Sequence, residues 1–190
     1  MAYVFHMIVN SPLGDILVQG TQSHIQFLKF VDALAEDELV RHEAAELAEV
    51  DRREADWAES CRLQLQQYFA GSKMGKGFDL PIDPQGTEFQ KQVWQALCEV
   101  EQGDYASYQG LALAIGNKNA VRAVASANAR NPIWLLIPCH RIIGTDLALR
   151  GYAGGIERKA QLLMLEGLSL NCDSSDQVTE KTKLMIQSDI

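Results

Sequence analysis

The chain is short of positive charge, of long apolar runs and of closely spaced cysteines. Its 190 residues hold 17 Lys and Arg against 25 Asp and Glu, a net charge of −8 with histidine neutral. An acid excess of this size argues, taken alone, against a polyanionic partner such as DNA or an anionic membrane. No apolar run approaches the roughly 18 residues that a membrane-crossing helix needs. The N-terminus MAYVFHMIVN lacks the basic start and cleavage site of a secretory signal. A cytoplasmic address is expected, with no membrane partner. The four cysteines, Cys61, Cys98, Cys139 and Cys172, show no CxxC pairing. A disulfide framework is therefore not expected. What remains is an ordinary globular composition, 47% hydrophobic and 22% charged, long enough for one large domain or two small ones.

The total charge hides an uneven distribution. Residues 1–84 hold 7 basic and 14 acidic side chains, whereas 85–190 hold 10 and 11. The stretch 36–59 alone carries 10 acidic and 3 basic residues. From 117 to 159 the balance reverses, with Lys118, Arg122, Arg130, Arg141, Arg150, Arg158 and Lys159 against only Asp146 and Glu157. One segment of an acidic protein is thus locally basic, as a DNA-facing surface or a chance cluster on a solvated face would be.

Short apolar runs around Met7 to Val9, Ile16 to Val18 and Ile25 to Phe30, separated by turn residues such as Ser11-Pro12-Leu13-Gly14, predict a small antiparallel sheet. The acidic stretch follows as a loop or an exposed helix. Trp57, Cys61, Leu65, Tyr68 and Phe69 then share one helical face. Four glycines and two prolines between Gly71 and Gly86 read as a linker. Beyond it the pattern is helical. Thr87 and Gln90 fit a capping box, and Phe89, Val93, Trp94 and Leu97 line one face. Ser107 is placed to cap a helix from Tyr108 to Ile115, with Gly116 as its stop. Asn119 is placed to cap a second helix over 120–129, broken by Asn131-Pro132. The pair has the dimensions of a helix-turn-helix, although plain core packing produces such pairs too. The second helix, AVRAVASANA, is nearly all small side chains with one arginine. The polar stretch from 169 to 190 reads as a loose tail.

Chemistry concentrates in the run from Ile133 to Gly144, where an apolar, strand-like stretch delivers Pro138-Cys139-His140-Arg141. A thiolate is the nucleophilic form of cysteine, and it needs a base or cation nearby. The alternative is a buried, inert thiol, the commoner state of cysteine. Cys61 and Cys98 fall on apolar helical faces and read as core.

Pro138-Cys139-His140-Arg141, preceded by Asn131-Pro132 and followed by Gly151-Tyr152-Ala153-Gly154-Gly155 and Leu165-Glu166-Gly167, resembles the signature of the O6-alkylguanine-DNA alkyltransferases. The resemblance runs from about Phe89 to Gly167, and Ser11-Pro12-Leu13-Gly14 resembles the family's N-terminal hairpin. It implies an α/β (α+β) protein. Residues 1–84 would form a small ribonuclease H-like sheet domain, and 85–168 a winged-helix-like domain carrying the helix-turn-helix.

The implied function is direct, irreversible transfer of an alkyl group from O6-alkylguanine in double-stranded DNA, with O4-alkylthymine as a second candidate, to Cys139. In this resemblance His140 takes the thiol proton through a water, Glu166 orients the imidazole and Tyr108 donates to the guanine ring. Ile142, Tyr152, Ala153 and Asn131 surround the base, with Ala153 standing where relatives often carry serine. A base inside a duplex is out of reach, so the nucleotide is flipped out. Arg122 fills the gap, while Tyr108, Ala123, Ala127 and Asn128 complete the DNA-facing set, in a minor-groove contact that suits small side chains. No cofactor is implied, the chain acts as a monomer, and a nucleoid or nuclear site of action follows the DNA. Some relatives hold a structural zinc through cysteines near the start. Here no cysteine precedes Cys61, and His6 and His24 make no four-ligand site, so no metal is expected. A non-catalytic lesion sensor and a Cys-His hydrolase are the rival readings; sensors of this type lack the acceptor cysteine.

Overall fold

The short apolar runs at the N-terminus form three strands, β1 (Phe5–Val9), β2 (Ile16–Gly20) and β3 (Ile25–Phe30), in the computed structural model of the chain. Described are residues 5–36, 38, 55–74, 77–171 and 182–185. The strands pair antiparallel in the order β1-β2-β3, with Met7 opposite Val18 and Val18 opposite Leu28. Every residue of β2 is buried, as expected of a central strand. Helix α1 (Ala58–Phe69) buries Cys61, Leu65 and Tyr68. Just before it, the Trp57 indole N–H donates to the Thr21 carbonyl at 3.0 Å. Most of the acidic stretch, and with it the choice between loop and exposed helix, lies outside the described residues.

The outer edge of β3 is covered by two segments remote in sequence. The Ile25 N–H donates to the Pro81 carbonyl and the Asp83 N–H returns to Ile25, both at 2.8 Å. Further along, the Leu28 N–H donates to Pro132 at 2.9 Å and the Trp134 N–H to Leu28 at 2.7 Å. Covering an edge in this way removes unpaired backbone groups from the surface. The first compact unit therefore takes in Phe78–Gln85 and Pro132–Leu136 besides the chain up to Ser72. Much of the expected linker is consequently part of a folded unit. Nor is the run from Ile133 to Ile137 a continuous strand. Ile133 makes one parallel bridge to Leu28, and Leu135 then turns the chain with φ +69°.

The second unit contains Gly86–Asn131 and the chain from Ile137 onward. Helix α2 (Glu88–Cys98) starts in a complete capping box: Gln90 N–H donates to Thr87 Oγ1, and Thr87 N–H to Gln90 Oε1. Strand β4 (Ala106–Ser107) runs into helix α3 (Tyr108–Ala114), capped by Ser107 Oγ on the Gly110 N–H at 2.9 Å. Gly116 ends that helix at φ +75°, a conformation that disfavours any side chain. Helix α4 (Val121–Ala129) begins after Ala120 with no side-chain cap, so Asn119 does not serve as one. Instead a backbone turn from the Ala120 N–H to the Asn117 carbonyl, at 3.0 Å, closes its start. The Trp94 indole of α2 donates to the Ala127 carbonyl of α4 at 2.9 Å, fixing the helix pair against α2.

Strand β5 (Ile142–Ile143) pairs parallel with β4, Ala106 with Ile142 and Ser107 with Ile143. Helix α5 (Ile156–Leu165) follows Gly155, whose φ of +91° lets the loop enter the helix sharply. Parts of the expected loose tail are ordered. Strand β6 (Leu170–Asn171) pairs with β7 (Lys183–Leu184), because Leu184 finds an apolar seat among Ile143, Leu149, Ala160 and Leu163. Residues 172–181 and 186–190 of the tail lie outside the described residues. Among the described residues no helix is long and apolar enough to cross a membrane.

Candidate active site

A single tight turn, the 3-10 stretch Cys139–Arg141, presents three functional side chains that are all buried. Cys139 is 3% exposed. Asn131, wholly buried, holds the turn from outside it: its Nδ2 donates to the Ile137 carbonyl at 2.7 Å and to Cys139 Sγ at 3.0 Å. A donor aimed at sulfur favours negative charge there. The amide also ties the chain just past the end of α4 to the turn.

His140 is fully buried and its Nε2 stands 2.9 Å from Glu166 Oε1. Arg141 embraces the same carboxylate as a fork, Nε to Oε2 and Nη2 to Oε1, each at 2.9 Å. Its Nη1 donates to the Val100 carbonyl at 2.6 Å. Against the opposing effect of burial, the neighbouring His140 and the Arg141 guanidinium carry the Glu166 carboxyl from 4.5 down to about 2. Burial depresses the His140 value, opposed by Glu166 and reinforced by Arg141 and Lys159.

Lys159 completes the cluster. Seven residues before Glu166, it shares with it the inner face of α5 and its immediate continuation, and its Nζ donates to the carbonyls of Ile142 at 2.5 Å and Arg150 at 2.9 Å. Burial pushes its ammonium down to about 8, with the charge on Cys139 acting the other way. Sequence reasoning assigned no part to Arg141 or Lys159. The signal for Lys159 was its helical spacing with Leu162, Leu163 and Glu166, which places two charges among apolar residues of one face.

The remaining expected residues lie near the turn or on α4. The β4–β5 pairing carries Tyr108, the first residue of α3, toward the turn. Its hydroxyl proton is held more tightly by burial and then by the Cys139 charge. Tyr152 sets its ring edge-on to His140, with centroids 6.5 Å apart. Ile142 is buried and Ala153 exposed. On α4, Arg122 and Ala123 face solvent. Ala127 and Asn128, expected beside them on the DNA-facing side, lie instead on the buried face, because the helical period turns them toward α2. No group of three or more His, Cys, Asp or Glu suited to a metal occurs among the described residues.

Two family models cover most of the chain: the DNA-binding domain of 6-O-methylguanine DNA methyltransferase over residues 88–168, and its ribonuclease-like domain over 4–84. The chain belongs to the 6-O-methylguanine DNA methyltransferase family. Within that family it is 40% identical over 169 residues to a methylated-DNA–protein-cysteine methyltransferase of Methanosarcina barkeri, covering 86% of this chain and 97% of the relative. To the constitutive enzyme of Bacillus subtilis it is 38% identical over 168 residues, 87% and 96% of the two chains. The family's solved structures include Mycobacterium tuberculosis OGT in complex with DNA, which matches with a TM-score of 0.70 at 35% identity, over 85% of this chain and 91% of that one.

Proposed function

We propose that Cys139 is the residue that accepts the alkyl group in the family's direct-repair reaction. The observation that carries this reading is the buried arrangement around one sulfur: Asn131 donates to Sγ, and the next residue, His140, is held by a carboxylate that is already neutralised. The protein is a methylated-DNA–protein-cysteine S-methyltransferase that reverses alkylation of DNA by transfer to a cysteine.

In the proposed reaction His140 removes the thiol proton through a bridging water, and Sγ attacks the carbon attached to O6 of guanine. The S–C bond forms as the C–O6 bond breaks. Its electron pair passes into the guanine ring, which recovers a proton at the end of the step. Tyr108 is the donor placed to meet that developing charge, and the backbone at Ala153 approaches O6. Tyr152 and Ile142 bound the pocket. A thioether C–S bond resists both hydrolysis and thiol exchange, so each molecule acts once.

The partner is double-stranded DNA carrying an alkylated base. The locally basic 117–159 segment and the exposed Arg122 on a small-residue helix support that reading. Arg122 fills the base stack when the nucleotide turns out. Every described group of the site comes from one unit of one chain, so a monomer suffices, acting wherever the cell keeps its DNA. The acid excess elsewhere keeps general affinity modest and salt-sensitive.

Incubation with an oligonucleotide containing O6-methylguanine, followed by intact-mass measurement, should show one added methyl group per protein, located on Cys139 by peptide mapping. The variant Cys139→Ser should gain none. Methyl removal by that variant, or repeated turnover by the wild type, would reject the acceptor assignment.

A further inference from the structure

Arg141 is the charged member of the Pro138-Cys139-His140-Arg141 motif to which the reaction above gives no part. It is 3% exposed. A guanidinium does not give up its proton at any pH a protein experiences, so its burial demands acceptors. Three of its nitrogens find them: Nε and Nη2 on the two oxygens of Glu166, and Nη1 on the Val100 carbonyl just past α2. The Glu166 Oε1 that meets Nη2 also meets His140 Nε2.

One carboxylate thus stands between two groups able to be cations. A buried carboxylate requires one compensating positive charge, and a second cation beside it gains little. Arg141 supplies that charge permanently. His140 is therefore free to remain neutral, which a general base must be. The fork also settles the tautomer. A carboxylate that accepts from a guanidinium is ionised and cannot donate, so the hydrogen between Glu166 and the ring belongs to Nε2. The lone pair then falls on Nδ1, which is buried and has no hydrogen-bond partner among the described residues.

We propose that Arg141 is a positioning residue of the alkyl transfer: by neutralising Glu166 it keeps His140 as the neutral Nε2–H ring whose Nδ1 can take the Cys139 proton. This rests on the alkyl-transfer reading above. The groups that bear on His140 are Cys139 and Arg141 from its own turn, Lys159 of α5 and Glu166 just beyond it, and the Tyr152 ring from the preceding loop. More remotely, Tyr108 at the start of α3 interacts with Cys139, and Cys98 at the end of α2 with Arg141. Of these, Glu166 favours the imidazolium, whereas burial, Arg141 and Lys159 oppose it. Removing the guanidinium leaves the pull of Glu166 less opposed, so His140 loses its proton at a higher pH.

The test uses the full chain with ¹⁵N-labelled histidine, reading the ring nitrogens by NMR and, in parallel, single-turnover methyl transfer from an O6-methylguanine oligonucleotide across pH. In the wild type at neutral pH, His140 should be the neutral Nε2–H form; an imidazolium or an Nδ1–H ring overturns the proposal without any variant. In Arg141→Gln the His140 titration and the rising limb of the rate profile should both move up by about one pH unit, so that transfer slows about tenfold on the acid limb and by about threefold or less at neutral pH. Arg141→Lys restores a cation and should return both midpoints most of the way. Slow transfer in folded R141Q with an unchanged His140 titration, or R141K shifted as far as R141Q, shows a merely structural role. A wild type that transfers no methyl rejects the alkyl-transfer reading instead, while the NMR measurements still decide the part played by Arg141.

Discussion

Cys61 and Cys139 are buried almost equally, at 0% and 3% exposure, yet they sit in opposite chemical surroundings. Cys61 lies on the inner face of α1 with Trp57, Leu65 and Tyr68 as its neighbours in the helical period. Burial pushes its thiol up to about 12, and the nearby Arg62 offsets little of that. It will not ionise at neutral pH. Cys139 lies in a turn whose surroundings include a donating amide, an imidazole, a guanidinium, a carboxylate and an ammonium. Burial by itself makes a cysteine inert. A sulfur can be both buried and a nucleophile only where the charges that ionisation needs are buried with it.

The sharpest way to break this comparison is to strip Cys139 of its charge support. Glu166→Gln should slow methyl transfer about 100-fold, since it removes the acceptor that orients His140 and leaves Arg141 uncompensated. The same variant tests the acid limb of stability. The folded-state value of Glu166 lies below its ordinary one, so its stabilising contribution is complete above about 4.5 and is lost as pH falls toward about 2. Melting temperature followed across that window should fall in the wild type more steeply than in E166Q. Equal slopes, or an unaffected rate, would show that Cys139 needs no more support than Cys61 has.

A milder change removes only the hydrogen bond to sulfur. Asn131→Ala should slow transfer about tenfold, roughly the effect of one such bond to a charged group, and lower the melting temperature because the Ile137 carbonyl loses its partner. A rate within twofold of wild type would mean that the amide serves the turn alone. The smallest effect on chemistry is expected at the other cysteine. Cys61→Ser should leave single-turnover transfer unchanged while destabilising the fold by about 1–3 kcal/mol, the cost of burying a hydroxyl among apolar groups. A slower transfer in that variant would join the two cysteines that the structure separates.

Much of the local architecture was legible from residue types. The capping box at Thr87 and Gln90, the Ser107 cap and the Gly116 stop all rest on contacts within four residues, and each is present. Failures came where another contact or the helical period overrode the preference of a residue type. Asn119 has the chemistry of a cap, yet a backbone turn from Asn117 closes α4 without it. The run from Ile133 to Ile137 has strand composition, but only a single bridge to Leu28 was available at the β3 edge. Ala127 and Asn128 share a helix with Arg122 and an inward orientation with Val124. The polar tail concealed one leucine that matters, Leu184.

The amino-acid sequence by itself determined that Cys139 and His140 adjoin at the end of an apolar run, that small residues follow Gly116, and that the basic charge gathers between 117 and 159. Those properties depend on neighbours along the chain or on counting. Only the tertiary structure decided which charges face which. Glu166 meets His140 across 26 residues and Arg141 across 25, and Arg141 reaches back 41 residues to Val100. Whether a buried carboxylate is compensated by a guanidinium or by an imidazole is a matter of a few ångströms between side chains. That separation is set by the packing of the whole unit, and no local pattern encodes it.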